Sequence, residues 1–110
     1  MSRSSLIAFA CFALCMLLAG PLRAQTFGSV VGEVVDESTG YPVPHIQVYV
    51  VGEDVGAVTD ERGRFRIPEA PAGARLIRAE GLGYGRGEAS VTVVAGATTE
   101  IVIALEPEPL

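Results

Sequence analysis

After Ala24, apolar and polar residues alternate with a period of two along most of the chain. Nowhere in that stretch do apolar residues recur at the i, i+3, i+4, i+7 spacing of a helical stripe. Successive side chains of a strand point to opposite faces, so the pattern predicts strands that each bury one face. They fall at Val30–Val35, Ile46–Val51, Gly56–Thr59, Arg64–Ile67, Ala74–Ala79, Gly87–Val94 and Thr99–Leu105. Ile46, Val48 and Val50 share a face, as do Val91 with Val93 and Ile101 with Ile103 and Leu105, while Gln47, Thr92 and Glu100 point the other way. Phe65 follows a turn glycine at an inward position and is assigned to the core. Seven short strands of this kind predict an all-β, two-sheet sandwich.

Turn residues fill the gaps. Ser38-Thr39-Gly40 supplies a glycine able to take positive φ, Pro42 and Pro44 fix φ and withhold ladder donors, and Asp60 to Gly63 has the chemistry of a tight hairpin. Pro68–Gly73 and the glycine-rich Gly81–Gly87 are expected to be loops, the second a flexible connection at one end of the sandwich. Glu106-Pro107-Glu108-Pro109-Leu110 alternates proline with charge, cannot pair as a central strand, and is expected to be an extended spacer.

The first 24 residues obey a different rule. Arg3 precedes an uncharged run from Leu6 to Ala19, followed by Gly20-Pro21 and then Leu22-Arg23-Ala24. A basic start, a short apolar core and a closing small residue describe a secretory signal peptide, and the run falls short of the roughly 20 residues a spanning helix needs. Cleavage after Ala24 would leave Gln25 first, with no membrane span in the exported chain. The two cysteines, Cys11 and Cys15, would leave with the signal, and neither is preceded by the Leu and small residues of a lipid-attachment site. The exported part then has no thiol for a disulfide or a thiolate metal site.

What remains, residues 25–105 plus the 106–110 tail, is one domain's worth of chain, enough for a single two-layer core. Its six arginines stand against thirteen acidic residues. That balance excludes nucleic acid, whose binding needs clustered cations to displace counterions from phosphates, and it disfavours an anionic membrane surface. The acidity is spread along the chain, as in a solvated surface.

The order of the motifs is similar to that of a known family. Gly32-x-Val34-x-Asp36, Thr39-Gly40-x-Pro42-Val43-Pro44, Val48-x-Val50, Gly56-x-x-Thr59-Asp60-x-x-Gly63-x-Phe65, Pro71-Ala72-Gly73, Gly83-Tyr84 and Ile101-x-Ile103-x-Leu105 together resemble the carboxypeptidase regulatory-like domain, from about Gly28 to Leu105. The resemblance implies a seven-stranded Greek-key β-sandwich of the transthyretin (prealbumin) type, without catalytic residues. It also implies an accessory role such as these domains have in secreted carboxypeptidases, in bacterial surface proteins and at the N-terminus of TonB-dependent outer-membrane receptors. The partner so implied is an envelope protein or the remainder of a larger receptor, and the location the periplasm, the outer membrane or the exterior. Two positions depart from the family pattern: His45-Ile46 stands where Gly-Ala is usual, and Ala74-Arg75 where an aromatic is common. With neither Lys nor Asn in the chain, the isopeptide crosslink of related adhesin sandwiches cannot form.

Candidate chemistry is sparse. His45 is the lone histidine, set between a turn proline and a strand, and is expected to be exposed or capping. No serine lies in a Gly-x-Ser-x-Gly elbow, so no catalytic residue, cofactor site or metal site is assigned. Glu53-Asp54 and Asp60-Glu61 are loop carboxylates of the kind calcium selects, but their spacing fits no EF-hand. The glycine loop lacks the following helix that a phosphate cradle requires. A second functional reading is a carbohydrate-binding module of the starch-binding-like type. Its candidate contacts are Tyr41, Tyr49 and Tyr84, since sugar platforms use exposed aromatic faces near amides and carboxylates.

Overall fold

The computed structural model describes residues 26–108. The signal-peptide expectation lies outside them. Seven strands form two sheets: β1 (Phe27–Asp36), β2 (Gln47–Val50), β3 (Gly56–Val58), β4 (Arg64–Pro71), β5 (Gly73–Glu80), β6 (Gly87–Val93) and β7 (Thr98–Leu105). One sheet has the order β4-β1-β7, the other β3-β2-β5-β6. The first and last strands run parallel, from Ser29 opposite Thr98 to Asp36 opposite Leu105, and all other pairs are antiparallel.

The alternation in sequence becomes the core between the sheets. Val30 and Val34 from β1, Val48 and Val50 from β2, Phe65 and Ile67 from β4, Ile77 and Ala79 from β5, Val93 from β6, and Ile103 and Leu105 from β7 are buried, joined by Val43 and Ile46. Phe65 is therefore a core residue, as its position implied. Gly32 makes room for it: a Cβ there would stand 2.9 Å from the Phe65 ring. At roughly 25 cal/mol per Å² of apolar surface removed from water, this one layer is the main favourable term in so short a chain.

One expected loop is largely strand. The prolines and glycine of Pro68–Gly73 predict a connection, yet β4 continues to Pro71 and β5 begins at Gly73. Proline is compatible because β4 is an edge strand and its register shifts here. Val30 faces Ile67 and Gly28 faces Ala70, so Pro68 and Glu69 bulge opposite Ser29, whose hydroxyl donates to the Pro68 carbonyl at 3.2 Å. The chain then crosses between sheets at Ala72. Arg75 clamps that crossing, its Nε donating to the Pro71 carbonyl at 3.1 Å and its Nη2 to the Ala72 carbonyl at 2.9 Å. Here, where an aromatic is common in the family pattern, an arginine supplies donors to the two carbonyls at the crossing.

The Gly81–Gly87 segment is a loop, but an anchored one. Tyr84 Oη donates to Asp36 Oδ2 at 2.9 Å, Gly85 N donates to Glu106 O at 2.8 Å, and Glu108 N donates to Gly83 O at 2.9 Å. Residues 106–108 therefore run along this loop, with Pro107 bridged to Tyr84. No helix among the described residues is long and apolar enough to cross a membrane.

Candidate functional site

The polar side chains with chemical potential are mostly engaged by the protein's own backbone. Asp60 Oδ1 accepts from Arg62 N and Arg64 N, both at 2.9 Å, closing the β3–β4 turn. These bonds, Arg64's foremost, hold its carboxyl below the usual carboxylate range. Gly63 completes the turn at φ 72°, and a Cβ there would meet Pro42 Cβ and Val34 O at 2.8 Å. Asp36 Oδ1 accepts from Ser38 N at 2.8 Å and Ser38 Oγ at 2.6 Å, and its pKa is lowered chiefly by that hydroxyl. Its second oxygen holds Tyr84, whose phenol is raised above its ordinary value because it donates to a carboxylate. Thr59, the buried polar residue of the core, accepts from Ile46 N at 2.9 Å and donates to Val43 O at 2.8 Å.

Thr59 explains His45. Backbone bonds from His45 N to Thr59 O and from Thr59 N to Ile46 O force a sharp turn into β2, and His45 takes it at φ 61°. That left-handed conformation favours glycine, which accounts physically for the Gly usual at this place. The imidazole itself is exposed, with Nε2 3.3 Å from Glu61 Oε1.

The four loop carboxylates do not converge. Asp60 is occupied as described, Glu61 faces His45, and Glu53 lies 3.6 Å from Arg75 Nη1. Among the described residues no group of three or more His, Cys, Asp or Glu is placed to hold a metal ion.

The three tyrosines separate as well. Tyr41 stands exposed in the β1–β2 connection, its carbonyl accepting from Asp36 N, while Tyr84 turns inward to the Asp36 carboxylate. Both belong to the loop end around Asp36. Tyr49 instead lies half-buried on the outer face of the four-stranded sheet, between Gly56 of β3 and Arg78 of β5. Because Gly56 has no side chain, the sheet surface beside Tyr49 is recessed. A groove of about 610 Å³ results, lined by Gln47, Tyr49, Glu53, Asp54, Gly56, Val58 and Glu80. Gln47 and Glu80 face one another across β2 and β5, and Glu80 is also paired with Arg86 at 2.7 Å. Sequence reading put Gln47 outward but missed Glu80, because only the strand register brings position 80 beside position 47.

Comparison with known proteins agrees with this architecture. The model of the carboxypeptidase regulatory-like domain matches residues 29–106. No curated protein matches the sequence. Among solved structures, a chain of a type II cohesin–X-dockerin complex from Acetivibrio cellulolyticus is similar at 26% identity and TM-score 0.57, over 71% of this chain and 56% of that one. The minor pilin GBS52 of Streptococcus agalactiae is similar at 18% identity and TM-score 0.56, over 78% of this chain and 47% of that one. A putative carbohydrate binding protein from Bacteroides uniformis is similar at 22% identity and TM-score 0.56, over 74% and 42%. This chain spans about half the length of each of those chains. The last two likenesses show the fold alone. The family model runs from the third residue of β1 to the residue after β7, taking in both sheets, the Asp60–Gly63 turn and the Pro71-Ala72-Gly73 crossing. The chain belongs to the carboxypeptidase regulatory-like domain family.

Proposed function

We propose that the protein is an exported, non-catalytic β-sandwich module that positions or docks a partner protein in the bacterial cell envelope, as the N-terminal extension of a TonB-dependent receptor would. The observation that carries this reading is how its reactive side chains are used: Asp36, Asp60, Thr59, Tyr84 and Arg75 are bound to the chain's own loops and crossings. Groups committed in that way rigidify a scaffold and its loops, which suits a surface that presents contacts. The likeness to a chain of a cohesin–dockerin complex supports the same class of role. Capture of envelope proteins by the immobilised chain, identified by mass spectrometry, tests it. Specific capture that survives high salt is expected; turnover of ester, peptide or glycoside substrates by the pure protein would overturn it. Mass spectrometry of the exported form should also find Gln25 at the N-terminus, and retention of Arg3 would refute the export reading.

A second reading has one observation in its favour. The Tyr49 groove puts an aromatic ring beside the Gln47 amide and the Glu80 carboxylate, the ingredients of a sugar subsite. A glycan array decides: binding abolished by Tyr49→Ala but not by Tyr41→Ala supports this reading, and an array without hits removes it.

A further inference from the structure

Among the described residues the two most exposed large apolar side chains are Leu82, 89% exposed, and Tyr41, 73%. They belong to different loops, yet Asp36 fastens both. Its Oδ1 holds the start of the β1–β2 connection through Ser38 N and Oγ, its N–H donates to the Tyr41 carbonyl at 2.8 Å, and its Oδ2 accepts from Tyr84 Oη at 2.9 Å. Tyr84 N in turn donates to Gly81 O at 3.3 Å, closing a tight turn with Leu82 at its tip, and residues 106–108 brace the same loop through Gly83 and Gly85. The other large apolar side chains more than half exposed, Val58, Val94 and Val102, stand singly on separate elements, as is ordinary on a protein surface. Two such side chains held on braced, adjoining loops have the character of interface anchors, and because the loops are already ordered, docking them loses little further conformational freedom.

We propose that the loop end around Asp36 is the docking face of the protein, with Leu82 and Tyr41 as anchors that enter apolar pockets of a partner protein whose pocket rim is basic. This rests on the docking role given above and adds where, and by what chemistry, it is exercised. The charge of the rim follows from the carboxylates at this end. Glu37 donates its N–H to Leu105 O, and Glu106 and Glu108 are placed by their backbone bonds to Gly85 and Gly83. All three residues are exposed, and none takes part in an ion pair among the described residues. Of the cations on these loops, Arg86 is already held by Glu80 at 2.7 Å, and Arg62 on the β3–β4 turn leaves the end acidic overall. An anionic lipid surface would accept the two apolar tips but repel the three carboxylates around them. A basic protein surface fits both features.

The test starts from an envelope protein retained by the immobilised wild-type chain, identified by mass spectrometry, purified and used as the probe in surface plasmon resonance. Leu82→Ser and Tyr41→Ser should each raise its Kd by about tenfold or more through faster dissociation, as loss of a buried anchor does. The triple variant Glu37→Gln, Glu106→Gln, Glu108→Gln should slow association and flatten its salt dependence while leaving dissociation nearly unchanged. Val94→Ser, beside Gly28 at the opposite end of β1, should alter neither rate. Circular dichroism should stay native in every variant, because each of these side chains faces solvent. A probe bound equally well by Leu82→Ser and Tyr41→Ser, or one whose association ignores the triple variant, overturns this docking face and leaves the docking role standing; a wild type that retains no envelope protein removes both. Binding to vesicles of phosphatidylethanolamine and phosphatidylglycerol that is lost with Leu82→Ser would place the tips in lipid and overturn the proposal as well.

Discussion

His45 is the position where residue chemistry and backbone requirement disagree most openly. Its φ of 61° strains a side chain with a Cβ, and the contact with Glu61 that it gains is between groups 76% and 82% exposed, too solvated to compensate. His45→Gly is therefore expected to raise stability by about 0.5–1 kcal/mol, the relief of left-handed strain outweighing the added freedom of the unfolded chain; urea denaturation reads it. Gly63 is the converse case, with positive φ and no room. Gly63→Val should cost about 3 kcal/mol, the upper range for strain combined with overpacking, seen as a lower urea midpoint. Asp36 and Asp60 add a pH dependence of defined sign. Their folded pKa values are depressed, so the stability they contribute is present above the ordinary carboxylate range and lost as pH falls through the folded values. Melting temperature should drop on acidification, and Asp60→Asn should both lower it at neutral pH and flatten the acid limb.

Among the elements, the 106–108 segment matters most for prediction. Taken by itself, its alternation of Pro and Glu says extended and solvated, and a spacer of that kind could be removed at almost no cost. In the fold it supplies an acceptor to Gly85 and a donor to Gly83, and it pins a loop that Tyr84 fastens to Asp36 from the other side. Truncation after Leu105 is thus expected to destabilise by about 1–2 kcal/mol, the net value of two backbone bonds, and to speed amide exchange at Gly85. A thermal melt of the truncated chain matching the intact one would return the segment to a mere spacer. The β4 strand carries a related lesson: Pro68 and Pro71 spell a loop locally, but an edge position and a bulge absorb the missing donors.

For the molecule as a whole, the pairing of β1 with β7 joins the two ends of the sandwich. Such a topology has few local contacts to reward early closure. Stopped-flow refolding is therefore expected to be a single exponential in the millisecond-to-second range, and one core should give one cooperative transition. A microsecond phase carrying the full amplitude would contradict that picture.

The sequence by itself settled what depends on nearest neighbours along the chain. Alternation located all seven strands and the inward faces of β2, β6 and β7, and turn chemistry identified the tight turn at Asp60–Gly63, though it joins strands of different sheets rather than a hairpin; the order of these motifs was specific enough to point to the family. These features were legible because strand periodicity and turn preference are short-range consequences of where a side chain points and which φ it tolerates. Tertiary structure alone decided matters of register and of contact between distant segments. It brought Glu80 beside Gln47 and opened the recess next to Tyr49 through Gly56. It turned Tyr84 to Asp36, 48 positions away, and laid residues 106–108 against the Gly83–Gly85 loop. No local pattern encodes these, because a shift of one residue in pairing changes every cross-strand neighbour while leaving the alternation itself intact.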